Sequence, residues 1–150
     1  MSKRILLLHG PNLNLLGQRD ASMYGTMTLP ELERAVQARA SELDVEVECL
    51  QSNVEGELVN ALHDAQGTCA GVIFNPGGYS HTSVALRDAV EAISIPTVEV
   101  HLSNIHARED FRKTSLTAQA ANAIVSGLGL SGYLAAIKFL AIGSNHSSVE

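Results

Sequence analysis

GVIFNPGGYSHTSVALRDAVEAISIPTVEVH, residues 71–101, decides the fold. It opens with a short apolar run at residues 71–74 and closes with a short strand-like segment at 96–101. Runs this short, rich in β-branched and aromatic side chains, read as strands. Between them Leu86, Val90 and Ile93 recur at helical spacing, which predicts a helix from about Thr82 to Ile93. Strand, helix and strand in this span make a parallel crossover unit.

The alternation continues outward in both directions. Residues 5–8 are a continuous apolar run, as in a strand buried on both faces. Thr28-Leu-Pro-Glu31 is a capping-box pattern with proline in the first turn, and Leu29, Leu32, Val36, Ala40 and Leu43 follow at helical spacing. Residues 45–50 alternate like a strand. Ser52-Asn-Val-Glu55 repeats the capping-box pattern before a helix face of Leu58, Ala61, Leu62 and Ala65 that ends near Gly67. By pattern alone residues 120–128 fit helix or strand. The alternation elsewhere predicts a strand at 123–126, then a closing helix at 131–142 and a frayed polar tail at 143–150. No repeat or linker interrupts the chain, so a single domain over 1–150 is expected. The fold class is α/β: a doubly wound, five-stranded parallel sheet with helices on both faces, in flavodoxin-like order.

Composition limits the partners. The chain has 150 residues, 16 acidic and 10 basic, for a formal charge of −6. An acidic balance argues against nucleic acid and anionic membrane, yet a few local arginines and backbone N–H groups can still bind a small anion. Cys49 and Cys69 have neither CxxC nor metal-ligand spacing and sit among apolar residues, so both are expected as buried, reduced thiols in a cytoplasmic protein. The apolar run after the basic start is too short for a signal peptide, and no stretch approaches membrane-spanning length.

In doubly wound sheets, ligands bind beyond the carboxyl ends of the strands, at the topological switch point. Here three strands end in His9-Gly-Pro-Asn-Leu-Asn14, Asn75-Pro-Gly-Gly-Tyr-Ser-His81 and His101-Leu-Ser-Asn104. Any one of these reads as turn chemistry, but three at one sheet edge favour a site. Glu99 and His101 are two apart on a strand and so share a face. A buried carboxylate needs a partner, and a histidine beside it forms an oriented general acid or base. The alternative is an edge strand with both groups solvated. Residues 17–25, bracketed by glycines, carry Arg19 and Tyr24 and read as a lid or as a plain solvent loop. No histidine pair has the spacing of metal ligands, so no metal is expected. Gly127-Leu-Gly-Leu-Ser-Gly132 matches a dinucleotide-binding string but falls in the last unit, and it is discounted.

Four motifs carry a resemblance over nearly the whole length. They are Gly10-Pro-Asn-Leu-Asn-Leu-Leu-Gly-Gln-Arg19 with Tyr24-Gly25; Gln51-Ser-Asn with Glu55-Gly-Glu57; Asn75-Pro-Gly-Gly-Tyr-Ser-His-Thr-Ser83; and Glu99-Val-His-Leu-Ser-Asn104 with Arg108-Glu109 and Phe111-Arg112. In this order and spacing the chain resembles the type II 3-dehydroquinate dehydratases. The resemblance implies no cofactor, 3-dehydroquinate as substrate, and a dodecamer built from trimers. It implies that Tyr24 removes a proton from C2, that Arg19 favours the tyrosinate, and that Asn12 helps hold the enolate. His101 would protonate the departing hydroxyl, oriented by Glu99. Asn75, Leu102 and Ser103 would hold the carboxylate, His81 and Arg112 the ring hydroxyls, and Asp88 would reach a neighbouring subunit's site.

The residue types suit that chemistry. An enolate must be stabilised as it forms, an adjacent cation populates a tyrosinate, and a β-hydroxyl leaves poorly unless protonated. The chain departs from the family pattern at Asp20-Ala21, where Glu-Pro is usual, at Val54, where a polar residue is common, and at Lys113-Thr114, where His-His is frequent. None of these removes a group with an implied role. Two other readings stand beside this one: a flavodoxin-like module that binds a nucleotide or phosphate, and an inactive homologue kept for assembly. The apolar closing helix, with Leu134, Ala135, Ala136 and Ile137, is either ordinary core or a further hint of subunit contact.

Overall fold

The computed structural model describes residues 3–18 and 25–142. Strands β1 (Lys3–His9), β2 (Val45–Gln51), β3 (Gly71–Asn75), β4 (Thr97–His101) and β5 (Ala123–Ser126) form one parallel sheet in the order β2-β1-β3-β4-β5. Helices α1 (Leu29–Glu42), α2 (Glu55–Thr68), α3 (Val84–Ala92) and α4 (Leu130–Ile142) connect and close it. The expected five-stranded doubly wound sheet is the fold observed, and the short strand in the last third lies where the alternation placed it.

Strand β1 organises the interior. Ile5 and Leu7 pack with Leu32 and Val36 of α1 and Tyr133 and Ile137 of α4. Leu6 and Leu8 pack with Leu58 and Leu62 of α2 and Leu86 and Val90 of α3. Alternate side chains thus serve the two faces, and burial on both explains why this segment has no polar alternation. At the edge, β2 does alternate, and Cys49 is only half-buried. The expectation of two fully buried thiols is therefore correct for Cys69 alone.

Helix starts follow local chemistry. Thr28 caps α1 as expected: its hydroxyl accepts from the Glu31 N–H, while Glu31 accepts from the Thr28 N–H. The second capping box does not form. The N-cap of α2 is Val54, because Ser52 lies further upstream, where its N–H donates to the His9 carbonyl. Its hydroxyl accepts from the Val54 N–H and donates to Glu57. Helix α3 begins at Val84, two residues later than predicted, since Ser83 is its cap and Thr82 still belongs to the preceding turn. In α4, Ala136 and Ile137 are core, and Ala135 is exposed.

The register aligns the strand ends. His9 lies opposite Gln51 and Asn75, Phe74 opposite Glu99, and His101 opposite Ser126. The loops after β1 and β3 then meet closely, with the Gly10 N–H donating to the Asn75 carbonyl at 2.7 Å. A Cβ on Gly10 would sit 2.5 Å from the Pro76 carbonyl oxygen, so only glycine fits there.

Candidate active site

Beyond the carboxyl ends of β1, β3 and β4 lies a cavity of about 120 Å³. Asn12, Asn75, His81, His101, Leu102, Ser103 and Arg112 all line it, so most of the residues singled out from the sequence converge. Arg108 also lines it, and its guanidinium donates to Ser103 Oγ at 3.3 Å. Asp88 is elsewhere, exposed on α3 beside Arg87. Arg19 and Tyr24 lie outside the described residues.

Each wall of the cavity is held by its own loop. Asn12 adopts a left-handed conformation (φ 71°) at the start of a 3-10 turn, and its N–H donates to Asn53 Oδ1 at 2.9 Å. Asparagine tolerates that region better than most residues. Asn75 is almost fully buried. Its Oδ1 accepts from the Gly77 N–H at 3.0 Å and its Nδ2 donates to the Tyr133 hydroxyl at 2.8 Å. A backbone N–H can only donate, which settles the orientation of the amide. Burial pushes the Tyr133 phenol far up from its ordinary value, so it stays neutral.

Glu99 and His101 sit on β4, flanked by β3 and β5, and both are buried. The solvated-edge alternative is thereby excluded. His101 Nε2 is 2.7 Å from Glu99 Oε2, which leaves Nδ1 as the second ring nitrogen. Glu99 also accepts from Ser115 Oγ at 2.6 Å and from Thr117 Oγ1. These two hydroxyls escaped the sequence reading, because serine and threonine in an aperiodic stretch carry no pattern that marks them.

His81 stands beside the pair, its ring centroid 6.4 Å from that of His101 and nearly parallel to it. His81 Nδ1 donates to the Thr114 carbonyl at 2.8 Å. Burial lowers the His81 pKa below the ordinary histidine value, helped by the neighbouring His101 and Arg112 and opposed by the bond to Thr114. The cavity thus combines amide donors, two arginines, a neutral imidazole and a carboxylate-backed histidine. That set can hold a small polyhydroxy anion and move a proton.

Among the described residues no group of three or more His, Cys, Asp or Glu could hold a metal ion. No described helix is long and apolar enough to cross a membrane. The glycines of the 127–132 string have conformational and packing reasons: Gly127 and Gly129 take positive φ values of 91° and 55°, and Gly132 packs against Val125 and Val100.

Comparison with known proteins agrees with this picture. A sequence model of the family described as dehydroquinase class II matches residues 3–141. The 3-dehydroquinate dehydratase of Gloeobacter violaceus is 52% identical over 141 residues, which is 94% of this chain and 88% of that protein. That of Pelotomaculum thermopropionicum is 56% identical over 135 residues, covering 90% and 94%. The crystal structure of the type II dehydroquinase from Butyrivibrio crossotus has a TM-score of 0.91 at 40% identity, covering 93% of this chain and 97% of that one. With matches spanning nearly its full length, the chain belongs to the class II dehydroquinases.

Proposed function

We propose that the chain dehydrates 3-dehydroquinate to 3-dehydroshikimate through an enolate, with no cofactor. As a class II dehydroquinase it is a hydro-lyase; the residue roles are our reading. Tyr24 takes the C2 proton with Arg19 favouring its ionised form, and Asn12 helps hold the enolate. His101, backed by Glu99, protonates the departing hydroxyl. Asn75, Leu102 and Ser103 receive the carboxylate, and His81 and Arg112 the ring hydroxyls. Asp88, exposed on α3, reaches the site of a neighbouring copy in a dodecamer of trimers, assembled in the cytoplasm.

The observation that carries this reading is the convergence of Asn12, Asn75, His81, His101, Leu102, Ser103 and Arg112 on one cavity, with Glu99 buried beneath it. The test is absorbance at the enone band after adding 3-dehydroquinate to purified protein. Growth of a conjugated product supports the lyase. Tight binding of the compound without product points to a binding module or an inactive homologue. Activity is expected to survive EDTA, and to survive borohydride with substrate present, and loss under either treatment would overturn the cofactor-free route.

A further inference from the structure

We propose that Ser115 and Thr117 are positioning residues for His101, acting through Glu99. This rests on the assignment of His101 as proton donor. Glu99 accepts from Ser115 on Oε2 and from Thr117 on Oε1, and His101 Nε2 lies 2.7 Å from Oε2. Thr117 is fully buried, and neither hydroxyl lines the cavity. Ser115 Oγ also accepts from the Ala118 N–H at 3.1 Å, and its one proton goes to Glu99 at 2.6 Å, a closer acceptor than Thr117 Oγ1 at 3.2 Å. Hydroxyl donors on both oxygens call for a group that only accepts, which is the carboxylate form. His101 Nε2 must then carry a hydrogen, and Nδ1 is the nitrogen that gains and gives the proton. Without the hydroxyls the carboxylate can rotate, and the ring can change tautomer.

The same short segment braces the second histidine. The Thr114 carbonyl accepts from His81 Nδ1, and the Leu116 N–H donates to the Ser80 carbonyl at 2.6 Å. Residues 114–117 therefore orient both imidazoles of the cavity, from outside the four motifs that carry the family resemblance.

The test uses the full chain, with Thr117→Val as the variant that removes the hydroxyl while keeping side-chain volume. Thr117→Val is expected to lower kcat roughly tenfold or more, the usual scale for a lost hydrogen bond to a charged group, with KM within about twofold. Thr117→Ser is expected to restore kcat, and Ser115→Ala to move it in the same direction as Thr117→Val. In a Glu99→Gln background, Thr117→Val is expected to add little. A full-sized loss in that background would overturn the inference while leaving the His101–Glu99 assignment intact. A costless Glu99→Gln would overturn both. Imidazole ¹⁵N shifts read the tautomer whether or not the enzyme turns over. His101 is expected as Nε2–H in the wild type and as a mixture in Ser115→Ala/Thr117→Val. An unchanged tautomer with unchanged kcat in that double variant sinks the idea.

Discussion

Asn75, which lines the cavity, donates to the phenol of Tyr133 at 2.8 Å from within the core. A polar wall of the site is thus fixed by a residue on α4 that never reaches solvent. Removing the hydroxyl with Tyr133→Phe leaves a buried amide N–H without its acceptor, at a cost of about 1–3 kcal/mol in folding stability. It also frees the amide to reorient. We expect KM for 3-dehydroquinate to rise several-fold, with a smaller change in kcat. Steady-state kinetics and urea unfolding check both parts, and an unchanged KM would separate Asn75 from substrate binding.

His101→Ala is expected to lower kcat about 10²- to 10⁴-fold, the usual range for a lost general acid. Glu99→Gln is expected to cost less, because the amide still supports the ring. It also sets an NH₂ donor among three donors, so it will lower the thermal midpoint as well. Near-normal turnover in His101→Ala would mean that another group, or water, protonates the leaving hydroxyl.

His81 gives a pH signature in stability. Its folded pKa is lowered, chiefly by burial, whereas the unfolded value is near the ordinary ~6.5. The unfolded chain therefore binds the proton more readily. The stability that neutral His81 contributes is present above about pH 6.5 and is lost as pH falls through the folded pKa. Urea midpoints at pH 7.5 and 5.5 are expected to drop more for the wild type than for His81→Asn. Parallel pH dependence in the two proteins would show that His81 is not the group responsible.

Cys49 is expected to resist alkylation. Burial, reinforced by the Glu33 and Glu48 carboxylates, pushes its thiol up from 9.0 to about 12. The reactive thiolate is then roughly a thousandfold scarcer than in an ordinary cysteine at the same pH. Peptide mapping after iodoacetamide at pH 8 will show Cys49 largely unmodified in the native protein and modified in urea. Rapid native labelling would mean that β2 exposes the thiol.

What the sequence disclosed depended on whether periodicity carried the information. Glu99 and His101 were legible as a pair because a strand has period two, and burial then forced them together. The convergence of Asn12, Asn75 and His101 followed from the rule for strand ends. Ser115 and Thr117 were not legible, since a contact between an irregular segment and a strand depends on three-dimensional packing alone. The missed cap at Ser52 has a related cause: its N–H was already committed to the His9 carbonyl, a long-range bond that a local motif cannot anticipate. The departure at Lys113-Thr114 becomes intelligible once the structure is seen. His81 is held by the carbonyl of Thr114, so that contact does not depend on the side chain there. Lys113 pairs with Asp110 on the surface.

The alignment of β4 against β3 bears on how a refolded sample should be judged. A slip of one residue turns every side chain of a strand to the opposite face. In β4 it would put Val98 and Val100 where Glu99 and His101 belong, while helix and strand content stayed nearly the same. Circular dichroism would be blind to that error, but turnover would not. In a renatured preparation, the ratio of activity to ellipticity therefore counts the molecules whose sheet closed in the correct alignment.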